Sequence, residues 1–283
     1  MGCFKHIVSF FVVTIIMGIT LCEASLAQAA PINLLPHKAV YDVKLVSAKN
    51  GSQIINIRGT MDFSWQPSCT GWITRHGFKI RYVYADADAS TISSNYTTFE
   101  NFDSKMLNFN SRQSEDNKVI EVIAGKATKL QAVFTAPTIQ KMPLAKGTLF
   151  PTEHTMTLLS AAKQGKLMQH SHVFDGSDTT GAVDISTIIS PAQKGELWLK
   201  PNKAPMAKAI NTALLKGQTY RLRMAFFSEN ETDVNADYEM SLLLHENGVI
   251  SDMIIDYKDF SLSQKLVSLT EIPKDECGRT GKP

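Results

Sequence analysis

The residues most able to do chemistry are few and scattered. The stretch DFSWQPSCTGW, residues 62–72, sets Cys69 after a proline turn and between Trp65 and Trp72. The other cysteines are Cys3, Cys22 and Cys277. A thiol does redox or metal chemistry, or it pairs, and the compartment decides which. His170 and His172, in QHSHVFDGSD, stand two apart on an expected strand and so share a face, with Asp175 close in sequence. Such a group could ligate a metal, but no third His or Cys follows at ligand spacing, so a solvent-facing strand side is the expectation. Asp86 and Asp88 suit acid–base work or calcium, yet the glycine and glutamate of a calcium loop are missing and aspartates commonly make turns. Ser177 lacks the second glycine of a nucleophile elbow, and His154 falls at an expected helix start. There is no P-loop, no GxGxxG and no HExxH. The residues predict no enzyme, no catalytic residue, no metal site and no cofactor.

The chain ends set the compartment. Lys5 precedes an apolar run over 7–22, and a polar stretch leads to Ala27-Gln28-Ala29. This reads as a signal peptide over 1–29, cleaved after Ala29. The run is shorter than the roughly 20 residues a membrane span needs. The expectation is an exported, soluble protein in one β-rich domain over 30–283, with no transmembrane segment after processing. Cleavage removes Cys3 and Cys22 and leaves Cys69 and Cys277. Outside the cytosol two cysteines permit one intramolecular bridge; two buried thiols or an intermolecular bridge are the alternatives. Net charge is +2, and the signal carries one basic and one acidic residue, so processing leaves it unchanged. That excludes a nucleic-acid footprint, which needs a strongly basic patch.

Alternation dominates the remainder. In INIRGTMDFSW, Ile55, Ile57, Gly59, Met61, Phe63 and Trp65 fall on one face, and Gly59 marks a bend. HKAVYDVKL turns Ala39, Tyr41, Val43 and Leu45 inward; FKIRYVY does so with Phe78, Ile80, Tyr82 and Tyr84. Further strands are expected over 93–99, 106–110, 119–123, 131–134, 168–174, 183–189, 196–199, 220–227, 238–245, 250–257 and 265–270. Asn50-Gly51, Asp175-Gly176 and Asn247-Gly248 carry turn chemistry. One helix is expected after Pro151, with Thr152 as N-cap, Met156, Leu159 and Ala162 at helical spacing, and Gly165 as the stop. A second is expected over 205–217, and 141–147 reads as a hinge. Many short strands with regular turns indicate an all-β barrel or sandwich. Phe63, Trp65, Trp72, Tyr82 and Tyr84 are the candidate lining of a ligand cavity, with ordinary core packing as the alternative.

Six stretches in order carry a resemblance: PHKAVYDVKL, RGTMDFSW with the following Cys69 and Trp72, TTFENFD, LFPTEHT, VFDGSD and HENGVISDMIIDYKDFSL. Together they resemble the EipB family of periplasmic cell-envelope integrity proteins, over essentially all of 30–283. Residues 200–227 fit that pattern less well. The resemblance implies an open, spiral-like β-barrel of many antiparallel strands with one or two short helices. It implies a Cys69–Cys277 disulfide and a periplasmic location. It also implies a non-enzymatic role in envelope integrity and envelope stress, with a periplasmic tetratricopeptide-repeat protein as a partner. The expected mode is binding of a protein or envelope component through the curved sheet; a lipid or glycolipid carrier is the second expectation.

Overall fold

The computed structural model describes residues 32–193, 196, 209–228 and 235–273. The expected signal peptide, most of the 196–199 strand, residues 205–208 and Cys277 lie outside them.

The elements run β1 (His37–Ala48), β2 (Ile54–Pro67), β3 (Gly71–Tyr84), β4 (Ser90–Asn101), β5 (Met106–Glu115), β6 (Lys118–Thr128), β7 (Gln131–Ala136) and β8 (Gln140–Pro143). Helix α1 (Pro151–Lys163) follows, then β9 (Met168–Val173), β10 (Val183–Pro191), β11 (Ala209–Ile210), β12 (Thr219–Ser228), β13 (Tyr238–His245), β14 (Ile250–Tyr257) and β15 (Phe260–Glu271). One sheet holds them in the order 8-7-6-5-4-3-2-1-15-14-13-12-10-9, with β11 off this path beside β15. Among the described strands β11 alone pairs in parallel with another strand, and every other strand pair is antiparallel.

The period-2 reading places most inward residues correctly. Ala39, Tyr41, Val43, Ile57, Trp65 and Ile80 are buried. Ile55 is the exception, at 60% exposure. A bulge between Ile54 and Asn56 adds one residue to β2 against β3, so Ile54 points in and Ile55 out. The expected hinge is instead partly sheet: Gln140–Pro143 pairs with β7, and Leu144 N donates to Leu130 O at 2.9 Å. Proline at the end of this short strand blunts an exposed edge. The described part of the expected second helix is β11 followed by a 3-10 turn at Thr212–Leu215. There Ile210, Leu214 and Leu215 pack beside Leu266 and Leu269, and the sheet's free ladder positions draw the backbone into strand pairing.

The sheet is open, because its end strands β8 and β9 do not pair. The chain spans the gap instead. Leu149 N donates to His172 O at 2.8 Å and Phe174 N to Leu149 O at 3.0 Å, so the segment entering α1 covers the β9 edge. A dry aromatic contact seals the join. Phe109, Phe134 and Phe174 meet edge to face at 5.3, 5.6 and 6.2 Å, with Phe150 buried in the same cluster. Burying each such ring contributes roughly 1.5–3 kcal/mol. Phe109 fits only because glycine stands on both sides. A Cβ on Gly125 would meet its ring at 2.5 Å, and one on Gly176 at 2.4 Å.

Helix α1 is started from outside its own sequence. Its N-cap is Phe150, not Thr152, with Pro151 in the first turn and Thr152 buried. Phe150 has no side-chain acceptor, so Glu153 bonds back to Phe150 N at 3.2 Å, and Glu100 of β4 supplies the missing cap. The Glu100 carboxylate accepts from Thr152 N at 2.7 Å, Glu153 N at 3.0 Å and Ser104 Oγ at 2.8 Å. Burial pushes its carboxyl pKa up, while the three donors pull it down. Lys129 adds a tie to Thr148 O at 2.9 Å and to Glu153, over the Phe150 ring. The helix ends as expected: Gly165 is left-handed, Gly165 N bonds Ala162 O, and Lys166 N bonds Ala161 O.

Two substitutions test this join. Glu100→Ala strands two helix amides and a hydroxyl and should lower stability by at least about 2 kcal/mol; Glu100→Gln, which keeps an acceptor, should cost less. Gly176→Ala should cost about 1–3 kcal/mol through the Phe109 clash. Urea unfolding midpoints measure all three.

Candidate ligand-binding face

Residues paired across the sheet share a face, so the inward set is fixed from β1 through its neighbours. That face is concave. Tyr82 of β3 meets Phe260 of β15 at 6.4 Å although β2 and β1 lie between them in the sheet. The two ends of the concavity differ.

One end is closed by α1. Leu158, Leu159, Ala161 and Ala162 pack against Ile185, Ile189, Leu222, Leu242 and Met253. Trp65 belongs to this cluster, with Phe63 and Trp72 against it. Trp65 lies 5.6 Å from Trp72 and 6.3 Å from Phe63. The left-handed Gly248 of the β13–β14 turn packs on Trp65 and Leu34, with room for no Cβ. Three of the five residues expected to line a cavity therefore stand together in or against this cluster.

The other end is half open. Leu45, Ile54, Met61, Phe78, Tyr82 and Phe260 are partly buried around a floor of Val43, Ile57, Ile80 and Leu262. Tyr82 and Tyr84 stand here, stacked at 6.5 Å. They begin an arc that sequence reasoning missed. It continues through Phe260, Tyr257 and Tyr238 to Phe226, with successive centroids 6.4, 4.9, 5.8 and 4.3 Å apart. No local pattern shows this series, because curvature brings the members together from five strands. Burial pushes the Tyr82 phenol up to about 12 and raises those of Tyr238 and Tyr257, so all three stay protonated donors at neutral pH.

The other chemical candidates disperse. His170 and His172 share the face expected of them, but their acidic partner is Asp184 of β10: His172 Nδ1 lies 3.0 Å and His170 Nε2 3.5 Å from its carboxylate. Asp175 instead accepts from Ser177 N at 2.8 Å, and its carbonyl accepts from Tyr96 Oη. Asp86 and Asp88 are exposed. His154 is buried within α1. Among the described residues no group of three His, Cys, Asp or Glu side chains is placed to hold a metal ion. No described helix is long and apolar enough to cross a membrane.

This geometry can be set beside known proteins. A family model described as EipB-like matches residues 28–273. The chain belongs to the EipB-like family. A curated relative, the cell envelope integrity protein EipB of Brucella abortus (strain 2308), is 28% identical over 249 residues, covering 86% of each chain. The crystal structure of a β-barrel-like protein of domain of unknown function DUF1849 from Brucella abortus superposes with a TM-score of 0.77. It is 27% identical and covers 86% of this chain and all of that one. The open antiparallel sheet expected of an EipB-like chain is thus the fold observed.

The closed end of this EipB-like sheet carries a pH signature. Burial pushes His154 in α1, His76 on β3 and His245 on β13 down to about 4. Unfolded histidine titrates near 6.5, so the unfolded chain binds more protons between these values. The stability held by neutral histidines is full above about 6.5 and is lost as pH falls through about 4. Each contributes at most about 1.4 kcal/mol per pH unit. His154→Leu should flatten the fall in unfolding free energy between pH 6.5 and 4; an unchanged slope would show that His154 does not contribute.

Proposed function

We propose that this chain is a non-enzymatic periplasmic protein that supports cell-envelope integrity by binding an amphiphilic envelope component, a lipid or glycolipid, inside the curved sheet. The name of the Brucella relative supports the envelope role. The observation that carries the binding mode is the asymmetry of the concave face: α1 fills one end, while Leu45, Ile54, Met61, Phe78, Tyr82 and Phe260 stay partly open at the other. An apolar concavity with a few hydroxyls suits an amphiphile. A strain lacking the chain should become more sensitive to detergents and β-lactams, and Phe78→Asp should fail to restore it while folding normally. Unchanged sensitivity of the deletion strain would overturn the envelope role.

A protein partner is the second reading. Leu167, Met168 and Ile188 are 70%, 69% and 55% exposed at the end of the β9–β10 pair. Such an apolar patch beside an edge strand suits a helical-repeat partner of the tetratricopeptide class. Ile188→Glu should weaken capture of a periplasmic tetratricopeptide-repeat protein without changing ligand binding.

A Cys69–Cys277 disulfide is part of the proposal. Cys69 is exposed in the turn between β2 and β3. The chain leaves the sheet nearby: Glu271 pairs with His37, and His37 pairs with Trp65. Two strand spacings are about 10 Å, and the four residues from Pro273 to Cys277 reach about 14 Å. Loss of the bridge should cost about 2–5 kcal/mol, and Cys69→Ser and Cys277→Ser should lower the melting temperature equally. Equal melting temperatures for oxidised and reduced protein would contradict it.

A further inference from the structure

Resting on the amphiphile reading above, the geometry points to the aromatic arc as the recognition site for the ligand's head, and to an uncharged saccharide as that head. We infer that Tyr84, Tyr82, Phe260, Tyr257 and Tyr238 stack on sugar rings at the mouth of the concavity, while the aliphatic floor takes the chain.

Three observations carry this. First, the arc is continuous and wet on one side. Its neighbouring rings stand 4.3–6.5 Å apart, and Tyr257 remains 36% exposed, where a buried core would cover it. Flat rings with apolar faces match the C–H faces of a pyranose, and four phenols offer O–H groups to its hydroxyls. Second, the charge at the Tyr238 end of the arc is negative. The Asp175, Asp178 and Asp237 carboxylates lie close enough to Tyr238 to push its phenol up further. Third, the strands that carry the arc present no cation on their inner face. Among the described residues, the inward positions of β1, β2, β3 and β12–β15 at this end carry no Lys or Arg: Leu45, Ile57, Phe78, Ile80 and Tyr82 share their face with Met240, Ile255 and Leu262 by strand pairing, and farther round the sheet Lys118 of β6 falls on that face opposite Glu115. Nearby Arg223 points outward and is engaged by Glu239. A phosphate head beside Tyr238 would face carboxylates with no cation on the strands of the arc to answer them, whereas a neutral sugar gains acceptors for its hydroxyls.

The test uses the full processed chain and three probes below their micelle concentrations: octyl glucoside, octyl phosphate and maltose, titrated by calorimetry. Octyl glucoside should bind at least about tenfold tighter than octyl phosphate, a difference of about 1.4 kcal/mol. Tyr257→Ala should weaken octyl glucoside by about tenfold, and Tyr257→Phe by less. Asp178→Asn should narrow the gap between the two head groups. Equal or tighter binding of octyl phosphate would overturn the saccharide assignment while leaving the amphiphile reading intact. The same holds if Tyr257→Ala has no effect. Binding of none of the three probes would sink both, and tight binding of maltose alone would keep the saccharide site on the arc but overturn the amphiphile reading. Circular dichroism and the melting temperature of each variant separate a folding defect from a lost contact.

Discussion

The Glu100 carboxylate is the interaction on which the architecture turns. An open sheet of this size has two unpaired edges and a concave face too wide for its own side chains to fill. Glu100, near the end of β4, accepts from the first amides of α1 and holds the helix inside that face. With α1 fixed there, Leu149 covers the β9 edge and Phe150 joins the aromatic seal between β5, β7 and the β9–β10 loop. A buried acid is costly unless its acceptor sites are filled. Here a helix N-terminus and a serine fill them, so the same contact satisfies the acid, starts the helix and joins distant strands.

That placement makes the concavity unequal. At the closed end α1 meets Trp65 and the strands opposite in tight packing. At the other, curvature gathers aromatic rings from β3, β13, β14 and β15 that stay only partly covered, beside the buried Phe226 of β12. A sheet closed by hydrogen bonds all round would have set both ends by strand number and tilt alone. A sheet closed by a helix and a phenylalanine contact leaves its other end less filled.

Much of the strand set was legible because alternation is a local property. Ala39, Tyr41 and Val43 could be assigned inward from period 2 alone, and the structure buries all three. Ile55 was misassigned because one inserted residue inverts every side chain upstream of a bulge. Thr152 looked like the cap because capping rules read neighbours, whereas the acid that performs it lies 52 residues earlier in the chain. Strands as short as β8 and β11 carry too few residues to show a period, and they exist because a neighbouring strand offers partners. Asp175-Gly176 was readable as a turn, but not as the surface on which Phe109 rests. The same holds for the arc: Tyr82 and Tyr84 were visible as candidates, while Phe260, Tyr257 and Tyr238 become their neighbours only through the curvature of the sheet.

We propose that the end of the concave face away from α1 binds an amphiphile. Native mass spectrometry of the protein released from periplasm without detergent tests it most directly. The expected result is a reproducible adduct that organic extraction removes and that Phe78→Asp abolishes. A bare polypeptide mass in every preparation, with wild type and variant alike, would contradict it.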